Sequence, residues 1–397
     1  MTAPARHSGW IALSVIAVAF NMRPAFTSVG PVLPLLSDEL SLSGGAQSFL
    51  TALPVFFLGA AAPMAAWSVR RLRLERIVFG FLAILIIAIA IRPLAGAALL
   101  LVGTAVVGAC IGVIGVLLPA IIKRDFAKHQ SLFTGLYTAV LCVGAATAAG
   151  ATEPLRRVFD GAWSYALAVW MVPATLAAII WWRNMFRHHT EFAPLAIHAP
   201  LYRDALAWQI TGYMGLQSAL AYTVFGWLPT ILQDRGVDPV AAGFMLSISI
   251  IVQVITALAA PWFGGRMRDQ RLIIAVVMVA TMIGLVGCFY APVSTIWIWA
   301  ILVGLGQGGA FSMALTLLSL RTRNHQTAAR LSSMAQGIGY LIAASGPFCV
   351  GYLHGQTGGW TASVIFLGLI GLTALWAGLG AGRARFVVDG DGREAMS

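Results

Sequence analysis

The sequence has little charge for its length. Of its 397 residues, 10% are charged and 59% are hydrophobic, whereas a soluble domain carries about 25% charged residues. The apolar residues form long runs, and about twelve of these runs approach the roughly 20 residues that cross a bilayer as a helix. The sequence therefore predicts a multi-pass protein embedded in a lipid bilayer.

Cysteine is also scarce, and the four cysteines show no metal-ligand spacing. They lie inside apolar runs, where a thiol packs as a small hydrophobic side chain. The sequence has no HExxH, Gly-x-Ser-x-Gly or phosphate-loop motif, and no pair of carboxylates within an apolar run. We therefore expect a protein that is not an enzyme and that uses neither a metal nor a cofactor.

The net charge of +11 arises from basic clusters in the loops between apolar runs. A nucleic-acid-binding protein would instead carry one basic face, so no nucleic-acid partner is expected. Twenty of the 25 basic residues fall on one side of the predicted membrane and four on the other. Because basic loops remain on the cytoplasmic side, both termini and the 184–204 loop are predicted to be cytoplasmic, in a cell inner (plasma) membrane protein.

Twelve membrane-spanning helices are predicted from the apolar runs, since a spanning segment must satisfy its own backbone hydrogen bonds. Their limits are 10–36, 46–69, 75–93, 96–122, 130–152, 161–183, 205–232, 240–263, 272–291, 294–320, 328–353 and 359–381.

The second half of the chain repeats the first at an offset of 196 residues. Gly108 and Gly112 align with Gly304 and Gly308, and one His–Gln pair aligns with another. Six spans in each half give parallel repeats, the arrangement of a major facilitator transporter with two pseudo-symmetric six-helix bundles. The predicted domains are an N-terminal bundle at 1–183, a cytoplasmic linker at 184–204, and a C-terminal bundle with a short cytoplasmic tail at 205–397.

Polar residues inside the predicted spans are few, and they form two stripes. Tyr213 and Gln217 lie four residues apart on span seven, and Gln336 and Tyr340 repeat that spacing on span eleven. The stripes favour a water-lined central cavity, although each residue alone is equally consistent with an interhelical hydrogen bond. The candidate substrate-binding residues are Asn21, Arg23, Thr27, Tyr137, Tyr213, Gln217, Gln307, Gln336 and Tyr340.

Arg23 is the strongest functional signal. It lies near the middle of span one, where an arginine costs roughly 2.5–3.5 kcal/mol to insert. All 14 acidic residues are predicted in loops, in the tail or at span ends, with Glu153 the nearest to the inside of a span. We interpret an anionic or strongly dipolar substrate as the partner of Arg23. A buried structural pair, or neutralisation by helix C-termini and backbone carbonyls, is the alternative.

Four stretches of the chain, at 21–36, 50–54, 117–126 and 334–347, resemble the CynX/NimT branch of the major facilitator superfamily. Members of this branch are described as cyanate and 2-nitroimidazole transporters, and the resemblance covers nearly the whole chain. It implies a twelve-span carrier of a small anion or small polar organic solute, with Arg23 as a substrate contact and alternating access as the mechanism.

The runner-up function is a broad-specificity drug efflux antiporter. The fifth span lacks the Gly-Pro motif of drug/proton antiporters, since 143–154 contains no such pair, which counts against this function. We expect the protein to act as a monomer. The direction of transport and its coupling to protons or to exchange remain open, because the seven histidines are predicted outside the middle of the spans.

Overall fold

A computed structural model describes residues 3–94, 96–186 and 199–387 of the chain. These residues form helices joined by short turns, and no strand occurs among them. Residues 187–198 of the predicted linker and the tail after residue 387 lie outside the described residues. The helices are α1 Ala3–Phe20, α2 Pro24–Thr27, α3 Leu33–Glu39, α4 Gly44–Val69, α5 Leu74–Ile91, α6 Gly96–Asp125, α7 Gln130–Val158, α8 Trp163–Ala168, α9 Met171–Trp182, α10 Ala205–Asp234, α11 Pro239–Gly264, α12 Arg271–Tyr290, α13 Ile296–Leu320, α14 His325–Ala343, α15 Ser345–Thr357 and α16 Thr361–Ala381.

Ten helical segments of the described ranges are long and apolar enough to cross a membrane. The first comprises α1 to α3 from Gly9 onward, and the sixth comprises α8 and α9 with the turn that follows. The remaining two predicted spans correspond to α10 and to α14 with α15. These two carry the polar stripes of Gln217 and Gln336, which make them less apolar. The predicted all-helical, multi-span fold is therefore confirmed.

The helices cluster into two compact units. The first contains the described residues of Met1–Pro194 together with Phe225–Ile251, and the second contains those of Leu195–Val224 together with Val252–Ser397. The chain therefore passes from the second unit into the first within α10, and returns within α11.

Each unit contains the same close helix crossing, which corresponds to the sequence repeat. In the first unit, a Cβ on Gly112 of α6 would lie 3.1 Å from the Phe57 carbonyl oxygen of α4. In the second unit, a Cβ on Gly308 of α13 would collide with the Gln253 carbonyl oxygen of α11. Glycines let helix backbones approach closely in membranes, so both members of this aligned glycine pair have a packing function.

Each unit also has an arginine at the end of a central helix that ties neighbouring helices together. Arg124, at the end of α6, bonds Glu75 of α5 at 2.7 Å. Arg321, just after α13, is buried and donates to the Ala381 and Gly382 carbonyl oxygens at 3.0 and 2.9 Å, and also to Gln270 Oε1. Arg321 thereby caps the C-terminus of α16, where carbonyl groups lack helical partners.

We expect Arg321→Met to lower the free energy of unfolding by about 3 kcal/mol, because it leaves three buried acceptors without their charged donor. Arg323→Met is the matched control, since Arg323 is exposed and only stacks on Phe386 at 5.5 Å. Thermal unfolding of the purified protein in detergent measures both variants. An equal loss of stability in the two variants would contradict this function of Arg321.

Candidate substrate site

The first span is broken around Arg23. α1 ends at Phe20, and Asn21 and Met22 make tight backbone bonds to Val18 and Ala19 at 3.0 and 3.1 Å. Pro24 lacks an N–H and its ring clashes with the carbonyl one turn earlier, which favours a break at Arg23. Arg23 adopts φ −127° and ψ −22° and precedes the short helix α2. Span one is therefore fully interrupted before Pro24.

Side chains beside the break bond it to span one itself and to neighbouring helices of the first unit. The Asn21 amide donates to the Ala17 and Pro173 carbonyl oxygens at 2.9 and 3.0 Å. Thr27 Oγ1 donates to the Ala145 carbonyl oxygen of α7 at 2.8 Å. Both residues are buried, so these donors serve to position the broken segment on its neighbours.

Arg23 itself is half-buried, and its guanidinium lies 5.4 Å from the ring centroid of Phe225 on α10. Phe225 belongs to the same compact unit as Arg23. A guanidinium over an aromatic face is attracted by the ring quadrupole, and more strongly when water is displaced. The ring therefore stabilises the positive charge of Arg23 from one side. The N–H donors of the guanidinium lie in its own plane, in a fixed arrangement.

A glycine of span one makes this aromatic contact possible. A Cβ added to Gly30 would lie 2.8 Å from the Phe225 carbonyl oxygen and 3.2 Å from that of Gly226. The backbone of α10 thus approaches span one directly beside Phe225. Gln233 continues the contact further along α10 by donating to the Pro31 carbonyl oxygen at 3.0 Å.

Sequence reasoning missed Phe225 and Arg92. Phe225 is one of 20 phenylalanines, and only the fold shows which of them meets Arg23. Arg92, near the end of the predicted span 75–93, is completely buried and donates to the Ala25 carbonyl oxygen of α2 at 3.1 Å. Its signal in the sequence is its isolation, because it is a single basic residue outside every basic cluster.

Three candidates of the second unit are buried among its helices. Tyr213 has no exposed surface, and its hydroxyl donates to the Ala310 carbonyl oxygen at 3.1 Å. Gln217 donates to the Met214 carbonyl oxygen and to Ser218 Oγ. Gln307 donates to the Leu220 carbonyl oxygen at 3.4 Å, one turn from Gln217. Tyr213 and Gln307 thus make the interhelical hydrogen bonds that were the alternative to substrate contact, whereas Gln217 bonds within α10.

The other candidates are more accessible. Gln336 and Tyr340 are half-buried on α14, and Gln336 donates to Ser332 Oγ at 2.7 Å. The ring of Tyr340 lies 6.2 Å from that of Tyr222 in an edge-to-face arrangement. Tyr137, on α7 in the first unit, is half-buried as well. Four candidates therefore lie in the first unit (Asn21, Arg23, Thr27 and Tyr137), and five lie on α10, α13 and α14 in the second.

Several acidic residues of the first unit form ion pairs near helix ends, where the sequence predicted them. Glu153, near the end of α7, is buried and bonds Arg156 at 2.7 Å. Arg157 bonds Asp238 at 2.9 Å, just before α11. The hydrogen bond from Arg157 holds the pKa of the Asp238 carboxyl below its usual range, so this pair remains ionised at neutral pH.

Repeated helical units and an interrupted membrane-spanning helix are recurring features of secondary transporters. The profile described as Major Facilitator Superfamily matches residues 10–344 and 210–387. The chain belongs to this superfamily and is a secondary transporter of small solutes in a membrane, not an enzyme.

Three relatives indicate which branch of the superfamily the chain resembles. The 2-nitroimidazole transporter of Escherichia coli (strain K12) is 35% identical over 93% of this chain and 94% of its own length. The cyanate transport protein CynX of the same organism is 30% identical over 87% and 90%. YycB, a transporter of Bacillus subtilis (strain 168), is 38% identical over 97% and 96%. The resemblance to the CynX/NimT branch is thereby confirmed.

Solved structures agree on the fold. An inward-facing bacterial homolog of the human lysosomal transporter Spinster has a TM-score of 0.72 at 15% identity, over 97% of this chain and 99% of that one. The D-xylose-proton symporter has a TM-score of 0.73 at 12% identity, over 96% and 98%. At these identities the likeness concerns the fold alone.

We expect Gly30→Ala to loosen the contact between span one and α10, because the added Cβ meets backbone that cannot rotate away. Backbone amide exchange in peptides covering 225–234 should become about tenfold faster. Gly45→Ala is the control, since a Cβ there meets only Ser43 Oγ at 3.8 Å. Unchanged exchange in the Gly30 variant would contradict the close approach described here.

Proposed function

We propose that this transporter carries a small anion or a small, strongly dipolar organic solute, and that Arg23 binds it. The observation that carries the proposal is the position of the guanidinium at the break of span one, half-buried beside Phe225. A guanidinium presents a planar fork of donors that matches carboxylate-like and nitro-like oxygens. Few other side chains can bind such a substrate as well inside a membrane.

The names of the relatives support this class of substrate. One is described as a transporter of 2-nitroimidazole and another as a transporter of cyanate. A nitro group and the cyanate anion share negatively charged or negatively polarised atoms, to which the same guanidinium can donate. The proposed substrate is therefore cyanate-like or 2-nitroimidazole-like.

The proposal includes alternating access, in which the site opens to one side of the membrane at a time. It also includes the division of the chain into bundles at 1–183 and 205–397, and a monomer as the working unit. The arrangement of repeated contacts in the two units supports a common architecture for the bundles. Export of several unrelated cationic drugs would favour the runner-up function, since Arg23 repels cations.

We expect Arg23→Ala to reduce transport by about 100-fold, because a buried substrate charge then loses its partner. Arg23→Lys should also be poor, since an ammonium group cannot reproduce the planar fork. The measurement is counterflow in proteoliposomes with cyanate, nitrate, small carboxylates and 2-nitroimidazole, with and without a pH gradient.

Arg71→Ala is the matched control for this experiment. Arg71 also stacks on an aromatic ring, at 4.5 Å from that of Trp67, but it is exposed at the end of α4. Its loss should leave counterflow within about twofold of the wild type, as expected for an exposed cation. Full counterflow by a correctly inserted Arg23→Ala variant would refute the proposed site.

We also propose that both termini are cytoplasmic in a plasma-membrane protein, on the basis of the basic loops. A membrane-impermeant maleimide should then label Arg157→Cys in intact cells, and label Arg71→Cys only after permeabilisation. Both positions are exposed, so access to the reagent depends on the side of the membrane. The reverse pattern of labelling would invert the topology.

A further inference from the structure

Arg92 is the most deeply buried arginine of the described residues, and the transport site described above does not account for it. It follows directly after α5 and has no exposed surface. Nη1 donates to the Ala25 carbonyl oxygen at 3.1 Å, whereas Nε and Nη2 have no hydrogen-bond partner among the described residues. The side chain thus reaches one carbonyl on α2 and leaves two donors unused.

Stability does not explain an arginine in such a place. Burying a guanidinium costs several kcal/mol, and one neutral carbonyl returns only part of that cost. A well-packed apolar residue of similar volume is often neutral or stabilising at a buried ionic position. A function that depends on the hydrogen bond to Ala25 is therefore the better explanation.

The Ala25 carbonyl belongs to the interrupted part of span one. In a continuous helix its partner would be the N–H of Val29. At the break, Ser28 donates to the Pro24 carbonyl oxygen and Val32 donates to that of Val29, at 2.9 and 3.1 Å, and neither bond engages the Ala25 carbonyl. Arg92 supplies a donor to this carbonyl from outside the span.

The fold makes room for Arg92 with a glycine on the neighbouring helix. A Cβ on Gly103 of α6 would lie 3.0 Å from the Cβ of Arg92 and 3.2 Å from its Cα. The backbone at Arg92 is therefore pressed against α6, which fixes where the side chain starts. From that starting point the guanidinium reaches the Ala25 carbonyl of α2.

We propose that Arg92 is a positioning residue, which holds the Pro24–Thr27 segment in place and thereby sets the direction of the Arg23 side chain. This proposal rests on the proposed function, because Arg23 must bind the substrate for its direction to matter. Asn21 and Thr27 anchor the same segment on α9 and α7. Arg92 is the donor that anchors it from the side of α5.

The structural half of the proposal is tested without any substrate. In Arg92→Met, backbone amide exchange in peptides covering 24–33 should be about tenfold faster than in the wild type. Arg92→Lys should show a smaller increase, because its ammonium group can still donate to one carbonyl. Arg71→Met, at an exposed position of the same unit, should leave these peptides unchanged. Equal exchange in Arg92→Met and the wild type would overturn the proposal.

The functional half is tested in proteoliposomes with cyanate and 2-nitroimidazole. Arg92→Met should raise the KM for the transported solute about tenfold, with the maximal rate within about twofold. Arg92→Lys should recover part of the affinity. In an Arg23→Lys background the same substitution should change KM much less, because the two effects pass through one contact. An equal change in both backgrounds would overturn the positioning function.

Gly103→Ala provides a second variant if Arg92→Met fails to insert, since it displaces Arg92 while keeping the guanidinium. It should raise exchange in 24–33 and raise KM in the same direction, and no effect on either would count against the proposal. The two proposals fail separately. Full transport by Arg23→Ala would refute the substrate site while the exchange result still decides whether Arg92 holds span one.

Discussion

The structure depends on one constraint, which is that backbone groups inside a membrane must find partners within the protein. A helix meets this requirement by itself, and an interruption meets it only when side chains or neighbouring backbone supply the missing bonds. Span one is interrupted between Phe20 and Leu33. Asn21 and Arg92 bond the Ala17 and Ala25 carbonyl oxygens beside that interruption, and Thr27 bonds that of Ala145 on α7, so the polar residues of this region support the backbone before they serve any substrate.

This support has a functional consequence for Arg23. An unbroken helix would point the side chain at the surface that the helical period dictates, whereas a broken one can present it in a direction fixed by its anchors. The freed Phe20 carbonyl lies where a Cβ on Gly144 of α7 would be. Half-helices and unwound backbone at binding sites are a recurring device of secondary transporters. In this protein the interrupted helix carries the Arg23 guanidinium, which lies over the Phe225 ring.

Much of the fold could be predicted from the sequence, because apolar length and basic loops are properties of single segments. The predicted limits of 96–122 and 272–291 correspond to helices Gly96–Asp125 and Arg271–Tyr290. Arg23 could be singled out because the cost of an arginine in a span is independent of its neighbours. Phe225 and Arg92 could not, because their significance depends on distant contacts. The period that placed Tyr213 on a polar stripe gives no indication of whether that stripe meets water or another helix.

The low hydropathy of α10 and α14 has a consequence for how the protein is made. Ten segments are long and apolar enough to cross a bilayer by themselves. A translocon can release such segments into lipid one at a time. α10 bonds a neighbouring helix through the Tyr213 hydroxyl, and it packs closely on α14 where Gly215 meets Gly339. Their entry into lipid is thus favoured once neighbouring helices are there to receive them. In the second half of the chain, membrane insertion of α10 and α14 therefore depends on tertiary packing. A packing defect should disturb the insertion of these two helices before that of the others.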